Sequence, residues 1–191
     1  MRHGIVMAAG LGFLMVGGAV RADDKAAAKP AAGAPAMEMP KPAPEMEQLK
    51  KLAGTQSCSG KMFASPMGPE GPMKGKIAIK SDLGGFWYAM RWDGAKSKTM
   101  PAMSASCLWG YDTAKKAFTE ACVDSMGGIA HGSSKGWEGD KWVWEEENQM
   151  MGQKFKGHTI ITKGKGKEVK VTSDMAGPDG KSMPLWETTC K

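Results

Sequence analysis

The sequence has little of what catalysis or nucleic-acid binding needs. It has 3 histidines, His3, His131 and His158, and none stands in metal-ligand spacing with another. Its 4 cysteines include no Cys-x-x-Cys pair, which argues against a zinc site built from four thiolates. No Gly-x-Ser-x-Gly elbow surrounds Ser125. Ser125 with Asp124 and His131 makes a triad on paper only, because Asp124 and Ser125 read better as hydrogen-bonding a strand end. Arginine is scarce: beyond Arg2 and Arg21, Arg91 stands alone. The formal net charge of +6 is mild, and Arg2 and Arg21 supply part of it. Lys163-Gly-Lys-Gly-Lys167 reads as a solvated turn. With no basic array interleaved by aromatics, no nucleic-acid partner is expected. The chain is expected to be non-catalytic.

A leader comes first. Met1-Arg-His is positive, Gly4–Val20 is apolar and uncharged, and Ala19-Val-Arg-Ala22 offers small residues for cleavage. Residues 1–22 therefore read as a signal peptide, too short and glycine-rich for a bilayer anchor. No cysteine follows for lipid attachment. The mature protein is expected in the periplasm or outside the cell, without stable membrane insertion. Residues 23–44 form an Ala/Pro linker that lacks the bulky side chains of a core. Met37, Met39 and Met46 offer thioethers to copper(I), but incidental methionine in a low-complexity tail is the better reading.

The folded domain is expected over 45–191. Glu45–Gly54 has Met46, Leu49 and Leu52 or Ala53 on one helical face, with acids leading and lysines following. From Thr55 onward, short alternating segments and tight turns predict about ten strands. Even spacing with consecutive turns indicates an all-β, antiparallel up-and-down barrel, whose closure removes edge strands. A sandwich is the alternative.

The clearest segment runs from Leu108 to Gly128. A strand ends at Tyr111, a polar turn spans Asp112–Lys116, and a strand returns from Ala117. If Tyr111 faces Phe118, then Cys107, four residues before Tyr111, faces Cys122, four after Phe118. That register predicts a Cys107–Cys122 disulfide. It leaves Cys58 in the first strand and Cys190 in the last, which neighbour each other in a closed barrel. A Cys58–Cys190 bond would pin the seam. An export signal implies a compartment that permits both.

Leu52-Ala-Gly-Thr55, Gly60-Lys-Met-Phe63, Leu83-Gly-Gly-Phe-Trp87, Gly110-Tyr-Asp-x-x-Lys-Lys-x-Phe118, Asp124-Ser-Met-Gly127 and Pro178-Asp-Gly-Lys181 together resemble the DUF1579 family of bacterial proteins of unknown function. The resemblance spans Glu45 to Lys191. It implies a ten-stranded, lipocalin-like barrel with a central cavity, and it supplies no catalytic residues. In one departure, Thr55-Gln-Ser-Cys58 stands where the family carries tryptophan after the first strand's glycine.

Seven tryptophans, five phenylalanines and seventeen methionines suit an adaptable apolar interior. The expected function is binding of a small apolar or amphipathic ligand, with Trp87, Arg91, Trp109, Trp142 and Trp144 as the candidate lining. One carboxylate of Glu145–Glu147 is expected to face inward, where Arg91 could partner it as a polar anchor for a ligand, but a plain surface pair is the better reading. No cofactor is expected on this reading. The alternatives are a haem barrel using His158 or His131, and a structural envelope domain with a filled core. Oxidation of all 4 cysteines predicts an exported chain lighter than its reduced form by one hydrogen per cysteine. Intact-mass spectrometry before and after reduction measures it.

Overall fold

The computed structural model describes residues 39–191 except 67, 151 and 178. The leader and most of the Ala/Pro segment, including Met37, lie outside the described residues. A single helical turn opens the domain, as a 3-10 turn over Pro44–Met46 running into α1 (Glu47–Lys50). The strands are β1 (Gly54–Met62), β2 (Gly71–Asp82), β3 (Trp87–Gly94), β4 (Met103–Asp112), β5 (Ala117–Asp124), β6 (Ile129–Ser134), β7 (Trp137–Glu138), β8 (Lys141–Met150), β9 (Gln153–Lys163), β10 (Val169–Ala176) and β11 (Ser182–Cys190). Setting aside the two-residue β7, each strand pairs antiparallel with its chain neighbours. Pairing of β6 with β8 and of β1 with β11 closes the ten into a barrel.

The helix is shorter than the periodicity predicts. It stops at Lys50, because Gly54 already belongs to β1 and pairs with Ile79. The predicted face survives, with Met46, Leu49 and Leu52 all buried. This turn plugs one end of the barrel. It is clamped by Trp137, which donates from its backbone N–H to Gln48 Oε1 at 3.1 Å and from Nε1 to the Gln48 carbonyl at 3.3 Å. Gly136 makes that approach possible: its φ is +92, and a Cβ there would lie 2.7 Å from Gln48 Oε1. Strand β3 starts at Trp87 rather than Phe86, which ends a 3-10 turn built on positive-φ Gly84 and Gly85.

The β4–β5 hairpin has the predicted register. Tyr111 faces Phe118 edge-on at 5.0 Å, and Cys107 faces Cys122. Asp112 Oδ1 accepts from the backbone N–H groups of Ala114 and Lys115, holding the turn. Disulfides join Cys107 to Cys122 and Cys58 to Cys190, the latter across the closing seam between β1 and β11. The β10–β11 register shifts between Ser173 and Asp174, where Pro184 opposes Asp174. A bulge is where a strand tolerates a residue that cannot donate.

Alternation then decides the interior. Near the helix, Leu49, Phe118 and Trp142 are packed almost without exposure. Phe118 and Trp142 centroids are 4.5 Å apart, and Trp142 and Trp144 are 5.6 Å apart. Toward the open end the inward positions become small or polar: Gly132, Gly157, Glu120, Glu146 and Asn148.

The two disulfides close loops of very different length, with separations of 132 and 15 residues. Replacing Cys58 and Cys190 by serine is expected to cost about 5 kcal/mol, and replacing Cys107 and Cys122 about 3 kcal/mol, on chain entropy alone. Urea denaturation of the two double variants checks the order.

Candidate functional site

One inward-facing row crosses the barrel near its open end. Register places Tyr88 opposite Trp109, Trp109 opposite Glu120, Glu120 opposite Gly132, Gly132 opposite Glu146, and Glu146 opposite Gly157. Two carboxyl groups thus stand two strands apart with a glycine between them. A Cβ at Gly132 would lie 2.5 Å from Glu120 Oε1, so the bare position is what lets Glu120 reach toward Glu146. The two side chains come within hydrogen-bonding reach.

Glu120 is only 6% exposed. Its Oε2 accepts from Trp109 Nε1 at 3.0 Å and lies 3.7 Å from Cys122 Sγ, a disulfide sulfur with no proton to donate. Its Oε1 meets no N–H donor among the described residues. Burial pushes its carboxyl well above the ordinary range. The neighbouring Glu146 charge adds to that, against the opposing Trp109 bond. The protonated form of Glu120 is favoured accordingly. Asn148 Nδ2 donates to Glu146 Oε2 at 3.3 Å.

Other polar atoms in the interior are also unmatched. Trp142 Nε1, Trp144 Nε1 and Thr188 Oγ1 are buried without a partner among the described residues. Such groups call for water or a ligand. An opening of about 80 Å³ lies one row above the carboxyl pair, lined by Ala105, Cys122, Asp124, Ala130, Asn148 and Met150 among others. At its rim Asp124 Oδ1 accepts from Met126 and Gly128 N–H, while Ser125 Oγ accepts from Ser104 N–H. Both residues therefore hold a strand end, as their sequence suggests.

The predicted lining divides by parity. Trp109, Trp142 and Trp144 face inward and touch in series, with Trp109 and Trp144 centroids 5.7 Å apart. Trp87 and Arg91 face outward. The Trp87 ring covers Gly110 on the outer surface, where a Cβ would lie 2.7 Å from it. Arg91 donates to Asp93 Oδ1 and Ser106 Oγ, each at 3.0 Å. Glu146 is the inward acid of its triplet, and Arg91, on the other face of the sheet, does not pair with it. Glu120 escaped the sequence reading, although the hairpin register carried the signal. It lies two residues after Phe118, as Trp109 lies two before Tyr111.

Both described histidines are exterior. His131 and His158 border a shallow outer groove on β6, β8 and β9 with Glu145, Glu147 and Lys156. His158 Nδ1 sits 2.9 Å from Asp174 Oδ1. An interior haem would find no histidine ligand among the described residues, so the donor set does not fit that group. Of the methionines that might hold copper(I), Met46 is buried in the core and Met39 is exposed.

The profile of a family described as "Protein of unknown function (DUF1579)" matches residues 41–191. No curated protein matches the chain. The crystal structure of Rv2717c from M. tuberculosis is similar in fold, with a TM-score of 0.58 and 11% identity, over 78% of this chain and 98% of that one.

Because folding raises the affinity of Glu120 for its proton, the folded state binds more protons than the unfolded state above the ordinary carboxyl value of 4.5. Stability contributed by the neutral acid is complete below that value and is lost as pH rises through the folded value. Glu120→Gln keeps an acceptor for Trp109 and removes the charge. It should stabilise the protein at pH 8 by on the order of 1–2 kcal/mol and leave it unchanged near pH 4. Urea midpoints across pH for both proteins measure this.

Proposed function

The chain belongs to the DUF1579 family, and on that premise we propose that it is a non-catalytic, extracytoplasmic barrel that binds a small amphipathic molecule at the mouth opposite the helix. Two disulfides suggest an oxidising, extracytoplasmic environment, and no helix among the described residues is long and apolar enough to cross a membrane. The leader-like start of the sequence supports export. The carrying observation is the unpartnered Oε1 of the buried Glu120, one row below an opening at the barrel's mouth.

Size narrows the ligand. Drug-sized molecules occupy cavities of roughly 300–1,000 Å³. An opening of about 80 Å³ admits a group of few heavy atoms and leaves no room for a fatty chain. The lower barrel favours the filled-core reading over a deep cavity, since Trp142 and Phe118 leave almost no exposed surface. Binding is therefore assigned to the upper third, and the aromatic lower half serves as its rigid floor.

Native mass spectrometry of the exported protein, with an absorbance spectrum of the same sample, tests this. The expected result is a small colourless adduct that Ala130→Trp, which fills the mouth, removes without lowering the thermal midpoint by more than a few degrees. A bare mass in both proteins would favour the structural reading. A Soret band would move the assignment to haem.

A further inference from the structure

The chemistry at the mouth does not match the protein around it. The chain carries a formal charge of +6, and lysines stud its outer face. Yet among the described residues the only charged one that lines the opening is Asp124, and the row beneath it adds Glu120 and Glu146. Among the described residues no lysine or arginine lines that opening. The buried Glu120 and the half-buried Glu146 repel each other when both are ionised, and a proton on Glu120 relieves the repulsion. A bound cation relieves it equally well. The unpartnered Glu120 Oε1, on a side chain only 6% exposed, is the atom such a cation would meet.

We propose that the upper barrel is a cation site: Glu120 and Glu146, reaching toward one another across Gly132, hold the ammonium head of a small organic amine admitted past Asp124 and Asn148. The proposal rests on the binding reading above and names its ligand class. An alkylammonium group carries three donors. The Glu120 and Glu146 carboxylates and the Asn148 side-chain carbonyl supply three acceptors. Trp109, bonded to Glu120, and Trp144, 5.7 Å from Trp109, add aromatic surface that favours a cation. A hard metal ion fits less well. Calcium takes six to eight oxygens, whereas Glu120 is bordered by an indole and by the Cys107–Cys122 disulfide. Cys107 and Cys122 cannot serve as thiolates while bonded to each other.

Binding should release the proton that burial favours on Glu120, so affinity should rise with pH until Glu120 is ionised. The titratable groups facing the site are Tyr88 from β3, Asp124 at the end of β5 and Glu146 from β8. Tyr88 is held above its ordinary range chiefly by burial, and so it stays neutral throughout the test. On β6 the site is faced by Gly132 and Ala130, which do not titrate.

The test is calorimetric titration of the full mature chain with n-propylammonium, 1-propanol, propanoate and calcium, in two buffers of different ionisation enthalpy at pH 6 and pH 8. Propylammonium is expected to bind at least tenfold more tightly than the alcohol or the acid, and more tightly at pH 8. It should displace a fraction of a proton and quench tryptophan fluorescence. Glu120→Gln and Glu146→Gln should each weaken it at least tenfold while urea midpoints show the barrel intact. Equal or tighter binding of propanol or propanoate would overturn the cation assignment and leave the binding barrel standing. Calcium binding without propylammonium binding would reassign the pair to a metal ion. Binding by none of the four probes would sink both readings.

Discussion

The register of the β4–β5 hairpin is the constraint on which the rest of the barrel depends. A strand's side chains alternate, so a slip of one residue would send every inward group outward. Tyr111 against Phe118 and Cys107 against Cys122 hold that register at two points, one by ring contact and one by a covalent bond. The same register places Trp109 beside Glu120. Strands β3 and β6 inherit it through their ladders, bringing Tyr88 to Trp109 and Gly132 to Glu120. Closure through β6–β8 and the β1–β11 seam then leaves no free edge among the ten strands.

Within that frame the barrel is two materials. Its helix end is aromatic and close-packed, the arrangement that contributes most by burial. Its open end contains glycine, carboxyl and amide groups that contribute little to a core. Burying Glu120 is tolerable because the carboxyl can stay neutral and accepts from Trp109, whereas a bare buried charge would be far more costly. A barrel needing only rigidity would be expected to fill Gly132 and replace Glu120 with an apolar side chain. The retained polar row is where structure and economy of folding part, which is common at sites of function.

Several features were legible before any coordinates. The alternating segments predicted the strand count, and spacing in one hairpin predicted its disulfide. The position of the remaining cysteines, in the first and last strands, predicted the second bond and with it the closure. The apolar face of Met46, Leu49 and Leu52 was likewise visible, though not how early the helix would give way to β1.

What the sequence determined by itself was local and periodic: alternation, turn chemistry, and residues at equal distance from a turn. Those features depend on near neighbours along the chain. What only the tertiary structure decided was which face of each strand is inside, and hence that Trp109 and Trp144 line the barrel while Trp87 and Arg91 decorate it. Parity in β3 is symmetrical in the sequence, with bulky residues on both faces, and only the ladder to β4 breaks the tie. The meeting of Glu120 with Glu146 is also tertiary. They lie on strands that are not paired to each other, and come together because β6, between them, presents a residue without a side chain.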